Sequence, residues 1–528
     1  MYFVITASKD TYITDKIMAN SFSASNANVG YASTLDLFRL YNESFLSGVA
    51  VTNELSRVLL KFDYDKITQL MKSNLDINHP SFQCELQLFD IMGGQATPSN
   101  FNLVLFPLSQ SFDEGIGKNV VTFADLDSTN FVTASYRDGT LYPWHMSGAN
   151  SQGSIDATSA GGYPADLDII VSGNLSDGAG LQGLGVSQLF KNGSENLIMD
   201  VTKIVSATVA GILPDKGFRL SYTGSEEKDT RTRFVKRFAS RHVRDYTLRP
   251  RIAVSYDDSI IDHHEDFYFD LSGSIFLKNF HRGQPANILS GSSLSPVTGS
   301  SCMLVTLRTG SFSKSVFASQ HQAGTRLPHA GGDDLVNFVS GVYSASFAIP
   351  SNDSTVVDWG TTLSQMIARS GSVTFDEYWS SADGSVGYYT GSLVINRINR
   401  TAFNVSPKRV DLIVTNSKNS YKQFEKALFK VFVRDFNAEQ KKFKLPIEIK
   451  SLVLEKVYYR IRDIESGKVY VPFKSSNNGT RLSSDSEGLY FEFYMDLPKG
   501  RSFTIDFLIK DGGIDLIQEA SNVRFRVN

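Results

Sequence analysis

The densest chemistry in the 528 residues is a basic run, RTRFVKRFASRHVRDYTLRPR, in which Arg231, Arg233, Lys236, Arg237, Arg241, Arg244, Arg249 and Arg251 are accompanied by a single acid, Asp245. Guanidinium groups interleaved with Phe234 and Phe238 are what a nucleic-acid strand would need: charge for the phosphates and rings for the bases. The run also suits two plainer uses. Its charges can pair with Glu226, Glu227, Asp229 and carboxylates on neighbouring strands or subunits, or they can meet a partner, because arginine is enriched at protein interfaces. The net charge of −3 and pI near 6.3 supply no overall attraction to polyanions. This weighs against nucleic acid and leaves Arg231, Arg233, Lys236, Arg237, Arg241 and Arg244 as candidate interface residues.

Two other groupings invite a ligand. Tyr136, Tyr142, Trp144 and His145 fall within SYRDGTLYPWHMSG and are candidate glycan contacts, since a pyranose stacks on rings carried by loops; rings on a long loop also serve as buried anchors. His263 and His264 lie among Asp257, Asp258, Asp262, Glu265 and Asp266. Zinc would want a second ligand segment and calcium a central glycine with a terminal glutamate, so a solvated interdomain linker without metal is expected there.

For catalysis the sequence offers no nucleophile elbow, phosphate loop or paired-carboxylate motif. DGAGLQGLG (Asp177 to Gly185) lacks the phosphate-loop lysine and a preceding strand. Asp113 and Glu114, adjacent on an expected strand, would point to opposite faces. A non-enzymatic protein without a cofactor is the expectation.

The elements that must position these residues are strands. Apolar and polar residues alternate in LDLFRL (Leu35 to Leu40), SRVLLKFDY (Ser56 to Tyr64), CELQLFDI (Cys84 to Ile91) and FNLVLFPL (Phe101 to Leu108), between clusters of Gly, Asn, Ser and Asp. Phe (37) and Tyr (22) far outnumber Trp (3), a balance that suits pleated, half-buried surfaces. Short helices are expected at Asp65 to Ser73, Asp200 to Val209, Thr361 to Arg369 and Ser420 to Leu428. The length calls for several cores. The pattern divides the chain into an all-β, multi-domain architecture: a jelly-roll-type β-sandwich over 1–258, a middle β-sandwich over 259–403 and an immunoglobulin-like β-sandwich over 404–528. The stretch from Thr133 to Gly193, rich in Gly, Ser, Asp and Ala, is expected as a long loop or insertion across the mouth of the first sandwich. Two distant cysteines, Cys84 and Cys302, fit a reducing compartment, and neither a secretory leader nor a membrane-spanning run is apparent.

Seven stretches carry a family likeness: KDTYI (Lys9 to Ile13), NANVG (Asn26 to Gly30), SRVLLKFDY, SFDEGIG (Ser111 to Gly117), IMDVTKIV (Ile198 to Val205), GFRLSY (Gly217 to Tyr222) and LRPRIAVSY (Leu248 to Tyr256). In that order they resemble the DNRLRE domain family, which implies the jelly-roll sandwich, with Asp200 capping a short helix. TRTRFVKRFASRH (Thr230 to His242), DFYFDLSGSIFLKN (Asp266 to Asn279) and YYRIRDIESGKVYVPF (Tyr458 to Phe473) resemble stretches shared by large structural proteins of tailed bacteriophages. That second resemblance implies a virion component of the neck, collar, tail or head decoration, assembled in the host cytoplasm. It would act through contacts with other virion proteins, as a symmetric homo-oligomer and without membrane, with a host-surface glycan as the alternative partner.

Overall fold

Strands hold 48% of the chain and helices 6%, so the period-two reading describes the molecule as a multi-domain all-β protein. The computed structural model describes residues 1–51, 53–71, 75–91, 99–156, 166–174, 180–291, 294–326, 335–398, 409–436, 451–511, 513–520 and 523–528. The boundary expected at 403 and 404 lies outside them.

The first sandwich is organised by the strand Tyr2–Thr14, which serves two sheets. Its first half pairs with Arg251–Ser255, its second half with Glu54–Phe62, and the register shifts between Ala7 and Lys9. One extra residue bends a strand and lets it turn a corner between sheets. Glu54–Phe62 is buried on both faces: Val58, Leu60 and Phe62 enter the main core, while Leu59 enters a smaller one with Ile13, Leu108, Trp144, Ala149 and Ile169. The alternation in SRVLLKF therefore marks two apolar environments, not one core face and one solvent face.

The second cover is the insertion 133–193, whose described part folds into strands and not into an irregular loop. Its described part holds a hairpin (Thr133–Arg137 with Thr140–Pro143), a parallel pair (Gln152–Asp156 with Ile169–Asn174) and Val186–Phe190, which joins the large sheet beside Phe101–Pro107. It lies over a sheet face, not across a mouth. Beneath it Arg57 and Arg219 are buried. Arg57 makes a fork with Glu227 (3.0 and 2.7 Å) and donates to the Gly148 carbonyl at 2.6 Å, and Arg219 donates to the Ala149 carbonyl at 3.2 Å. Burial, with Arg57 alongside, pushes Arg219 down to about 9. The cover is tied down by Asp168, fully buried, whose carboxylate accepts from the backbone of His145 (2.9 Å), Met146 (3.0 Å) and Ser151 (2.9 Å) and from Gln110 Nε2 (3.0 Å).

In the middle domain one seven-stranded sheet curls around Phe269, Ile275, Val305, Phe375, Trp379 and Ile395. Phe312–Arg326 pairs first with Met303–Thr309 and then with Leu335–Phe347, bending at two register shifts. The helix Leu363–Ser370 closes one end, with a capping box from Thr362 and Gln365 and a left-handed Gly371 behind it. The third domain is a sandwich of a four-stranded and a six-stranded sheet, with Tyr459 stacked on Phe491 at 4.2 Å and Phe429 on Phe491 at 5.0 Å.

Two helix expectations need correction. Ser420 to Leu428 forms the strand Ser420–Tyr421 and the start of Lys426–Asp435, because Ala427, Phe429, Val431 and Val433 alternate inward and override the helix-forming Lys, Gln and Glu. The helix Thr202–Val209 has no side-chain cap; Asp200 instead accepts from Thr202 N at 2.9 Å, just ahead of it.

The domains are joined by burial. Tyr2 and Ala253, on the outer face of the first sandwich, belong to the core of the third. Around them Asn477 Nδ2 reaches Ser255 Oγ (2.8 Å) and the Ser81 carbonyl (2.9 Å), and Lys474 pairs with Glu85 at 2.7 Å. A Cβ on Gly479 would come within 2.7 Å of Ser255 Cβ, so only glycine allows this approach. The connecting stretch 257–266 is not a solvated linker. Ile260 and Asp262 exchange hydrogen bonds with Ser483 and Ser484 (2.9–3.1 Å), and His264 bridges Asp262 (2.6 Å) and Glu377 (3.1 Å) of the middle domain. That chemistry is an ion pair that ties the connecting stretch to the middle-domain sheet.

Two expected outcomes test these ties. Asp168→Ala strands three backbone donors at once and should cost at least about 3 kcal/mol, with new protease cleavage between 144 and 168; unchanged melting and cleavage would deny Asp168 its anchoring role. Burial alone would lower the His264 pKa, but hydrogen bonds and charge from Asp262 and Glu377 outweigh it and raise the group from 6.5 to about 10. A raised folded pKa stabilises fully below the unfolded value and is lost as pH climbs through the folded one. Melting temperature should therefore fall between pH 6.5 and pH 10, and His264→Gln, which cannot titrate, should flatten that slope.

Candidate functional site

The basic run enters the first sandwich as the strand Phe234–Ala239, paired antiparallel with Thr34–Leu40. Alternation sends Phe234, Lys236 and Phe238 inward. Lys236 has no exposed side-chain surface: it pairs with Asp90, donates to the carbonyls of Gly193 (2.8 Å) and Glu195 (2.9 Å), and lies over the Phe190 and Phe238 rings. Burial lowers its pKa against these partners. It is therefore unavailable as a contact for another molecule, as are the rings of Phe234 and Phe238 for bases.

The outward members are engaged to different degrees. Arg237 forks onto Asp36 at 2.6 and 2.8 Å, and that hydrogen-bonded pair raises its pKa. Arg233 meets Glu43 at 2.8 Å on the surface. Arg231 and Arg244 are exposed. Of the carboxylates that answer Arg237 and Arg233, Asp36 lies on the paired strand and Glu43 just beyond its end, whereas Glu227 serves Arg57 and Glu226 accepts from the Asn102 backbone (2.9 Å).

At the end of the run the structure assembles a cluster that sequence spacing does not announce. Arg241 forks onto Glu114, Arg241 N donates to Asp10 Oδ2 (2.5 Å), Asp10 N donates to Glu114 Oε1 (2.9 Å), and His242 Nε2 lies 3.3 Å from the same oxygen. The Tyr31 ring covers the imidazole at 4.3 Å. Glu114 and Asp113 sit on irregular backbone, not on a strand, and still diverge: Asp113 accepts from the Tyr136 backbone at 3.0 Å. Burial pushes the Asp10 carboxyl up to about 7, against the opposing pull of the Arg241 backbone hydrogen bond. Only the three-way convergence of KDTYI, SFDEGIG and ASRH builds this site, and each of those segments is unremarkable alone.

The four residues of the insertion do not form one platform. Trp144, 4% exposed, is a core anchor whose Nε1 donates to the Asn130 carbonyl at 2.9 Å, so its face is closed to a sugar. Tyr136, Tyr142 and His145 are exposed. Across their hairpin Tyr136 opposes Leu141 and Ser135 opposes Tyr142, which places the two tyrosines on opposite faces. Arg137 shares the Tyr142 face and stacks on it at 5.9 Å.

A cleft of about 1330 Å³ opens where the three domains meet, lined among others by His79, Asp258, Phe276, Lys278, Tyr389 and Tyr490. Three of its lysines find partners on the cleft wall: Lys278 donates to Tyr490 Oη at 2.8 Å, Lys426 meets Glu492 at 2.7 Å, and Lys430 pairs with Glu487. Among the described residues no helix is long and apolar enough to cross a membrane, and both cysteines are free thiols.

No protein-family model matches the chain, and no curated protein matches it. Among solved structures, trypsin-activated alpha-2-macroglobulin from Escherichia coli is 10% identical, over 100% of this chain and 30% of that one, with a TM-score of 0.15. A putative membrane anchored protein from Corynebacterium diphtheriae is 8% identical, over 100% and 96%, with a TM-score of 0.13. The native E. coli alpha-2-macroglobulin is 10% identical, over 99% and 35%, with a TM-score of 0.13. The chain thus spans about a third of the length of either macroglobulin form. Scores this low carry no argument about fold or task.

Proposed function

We propose that the chain is a structural component of a tailed bacteriophage virion that acts through protein–protein contacts. The observation that carries this reading is the strand Ile514–Glu519. Among the described residues it pairs with Ser502–Asp511 alone and leaves Ile514, Leu516 and Ile517 exposed, the last at 55%. An apolar edge strand is a liability in a free monomer and a ready contact for a neighbour in an assembly. Trp359 adds to it: at the tip of the hairpin Val356–Asp358 and Thr361–Thr362 it is 97% exposed, and tryptophan is over-represented among the residues that dominate interfaces.

The choice of a phage particle rests on the likeness of Thr230 to His242, Asp266 to Asn279 and Tyr458 to Phe473 to phage structural proteins. Partners would be other virion proteins and further copies of this chain. Symmetry would repeat each weak contact. A glycan partner would have to be met by Tyr136, Tyr142 and His145 without Trp144.

Leu516→Lys combined with Ile517→Lys should leave the melting temperature within a few degrees, since both sites are exposed, and should sharply reduce incorporation of the chain into particles. Normal incorporation of the double variant, with wild-type chain monomeric at high concentration, would overturn the reading.

A further inference from the structure

Asp10, Glu114 and His242 each offer a donor atom, two carboxylate oxygens and an imidazole nitrogen, and the three lie within 4.8 Å of one another. They come from separate parts of the fold: the shared strand Tyr2–Thr14, the irregular segment after Phe101–Pro107, and the turn after Phe234–Ala239. Asp10 is fully buried, and its Oδ1 has no hydrogen-bond partner, although Oδ2 accepts from Arg241 N. A buried carboxylate oxygen without a donor is costly, and an ion is one of the few things that satisfies it. Arg241 answers Glu114 through its fork. Arg241 and Arg249 both place positive charge near Asp10, so the unpaired Oδ1, not a surplus of negative charge, is what an ion would satisfy.

We propose that Asp10, Glu114 and His242 bind a first-row divalent metal ion of the zinc class. An imidazole in the donor set selects against magnesium and calcium, which take oxygen, and three protein ligands leave a position for water. Arg241 is a positioning residue: its fork fixes the Glu114 carboxylate while Asp10 and His242 close on the ion from the other sides. The ion ties the corner-turning strand to the SFDEGIG segment and to the end of the basic run, adding a cross-link where those three segments meet.

The test uses the full-length chain, stripped with EDTA and titrated with zinc chloride alone by calorimetry, with thermal melting alongside. Wild type should bind one equivalent at this site and melt at a higher temperature when loaded. His242→Ala, at a partly exposed position, and the near-isosteric Asp10→Asn should each weaken that equivalent by more than about tenfold. If Asp10→Asn fails to fold by circular dichroism, His242→Ala decides alone. Absence of zinc binding by wild type, or equal stoichiometry and affinity in wild type and His242→Ala, would overturn the site.

Discussion

The outer face of the first sandwich carries apolar side chains where a free-standing domain would carry polar ones, and the rest of the architecture follows from covering them. Tyr2 and Ala253 cannot face water cheaply, so the third sandwich is drawn against the sheet that holds them. Once it sits there, the stretch 257–266 has a fixed path along Ser483 and Ser484, and the middle domain is held through His264 and Glu377. The charged groups at these seams complete a contact that apolar area begins.

Polar and apolar groups are thereby assigned in an order that suits a scaffold. Groups that enzymes use for chemistry, such as Arg57, Asp168, Lys236 and His264, are consumed in holding elements together. Large apolar groups that a monomer would hide, such as Trp359 and Ile517, stand outside. The proposed structural role would draw on that stiffness and on those exposed apolar groups.

Much of this was legible in the sequence and some could not be. Strands at Leu35 to Leu40, Cys84 to Ile91 and Phe101 to Leu108 follow from alternation, because a period of two has one structural meaning when turn residues bound it. Glu54–Phe62 shows the limit: alternation locates the strand but cannot say that 133–193 folds back over its second face, which depends on contacts across about a hundred residues. Ser420 to Leu428 misleads because helix propensity is weak next to packing. Trp144 reads equally as platform or anchor until Asn130 is seen to receive its Nε1–H. The Asp10, Glu114 and His242 cluster has no local signature, since each member sits in a different segment.

Differential scanning calorimetry of the intact chain shows whether the first and third sandwiches are one body joined by buried apolar area. Separate cores normally give separate transitions. A weld through Tyr2 and Ala253 predicts a single shared endotherm for those two domains, with the middle domain free to unfold on its own. Two resolved transitions for the first and third sandwiches, each as sharp as an isolated domain's, would contradict it.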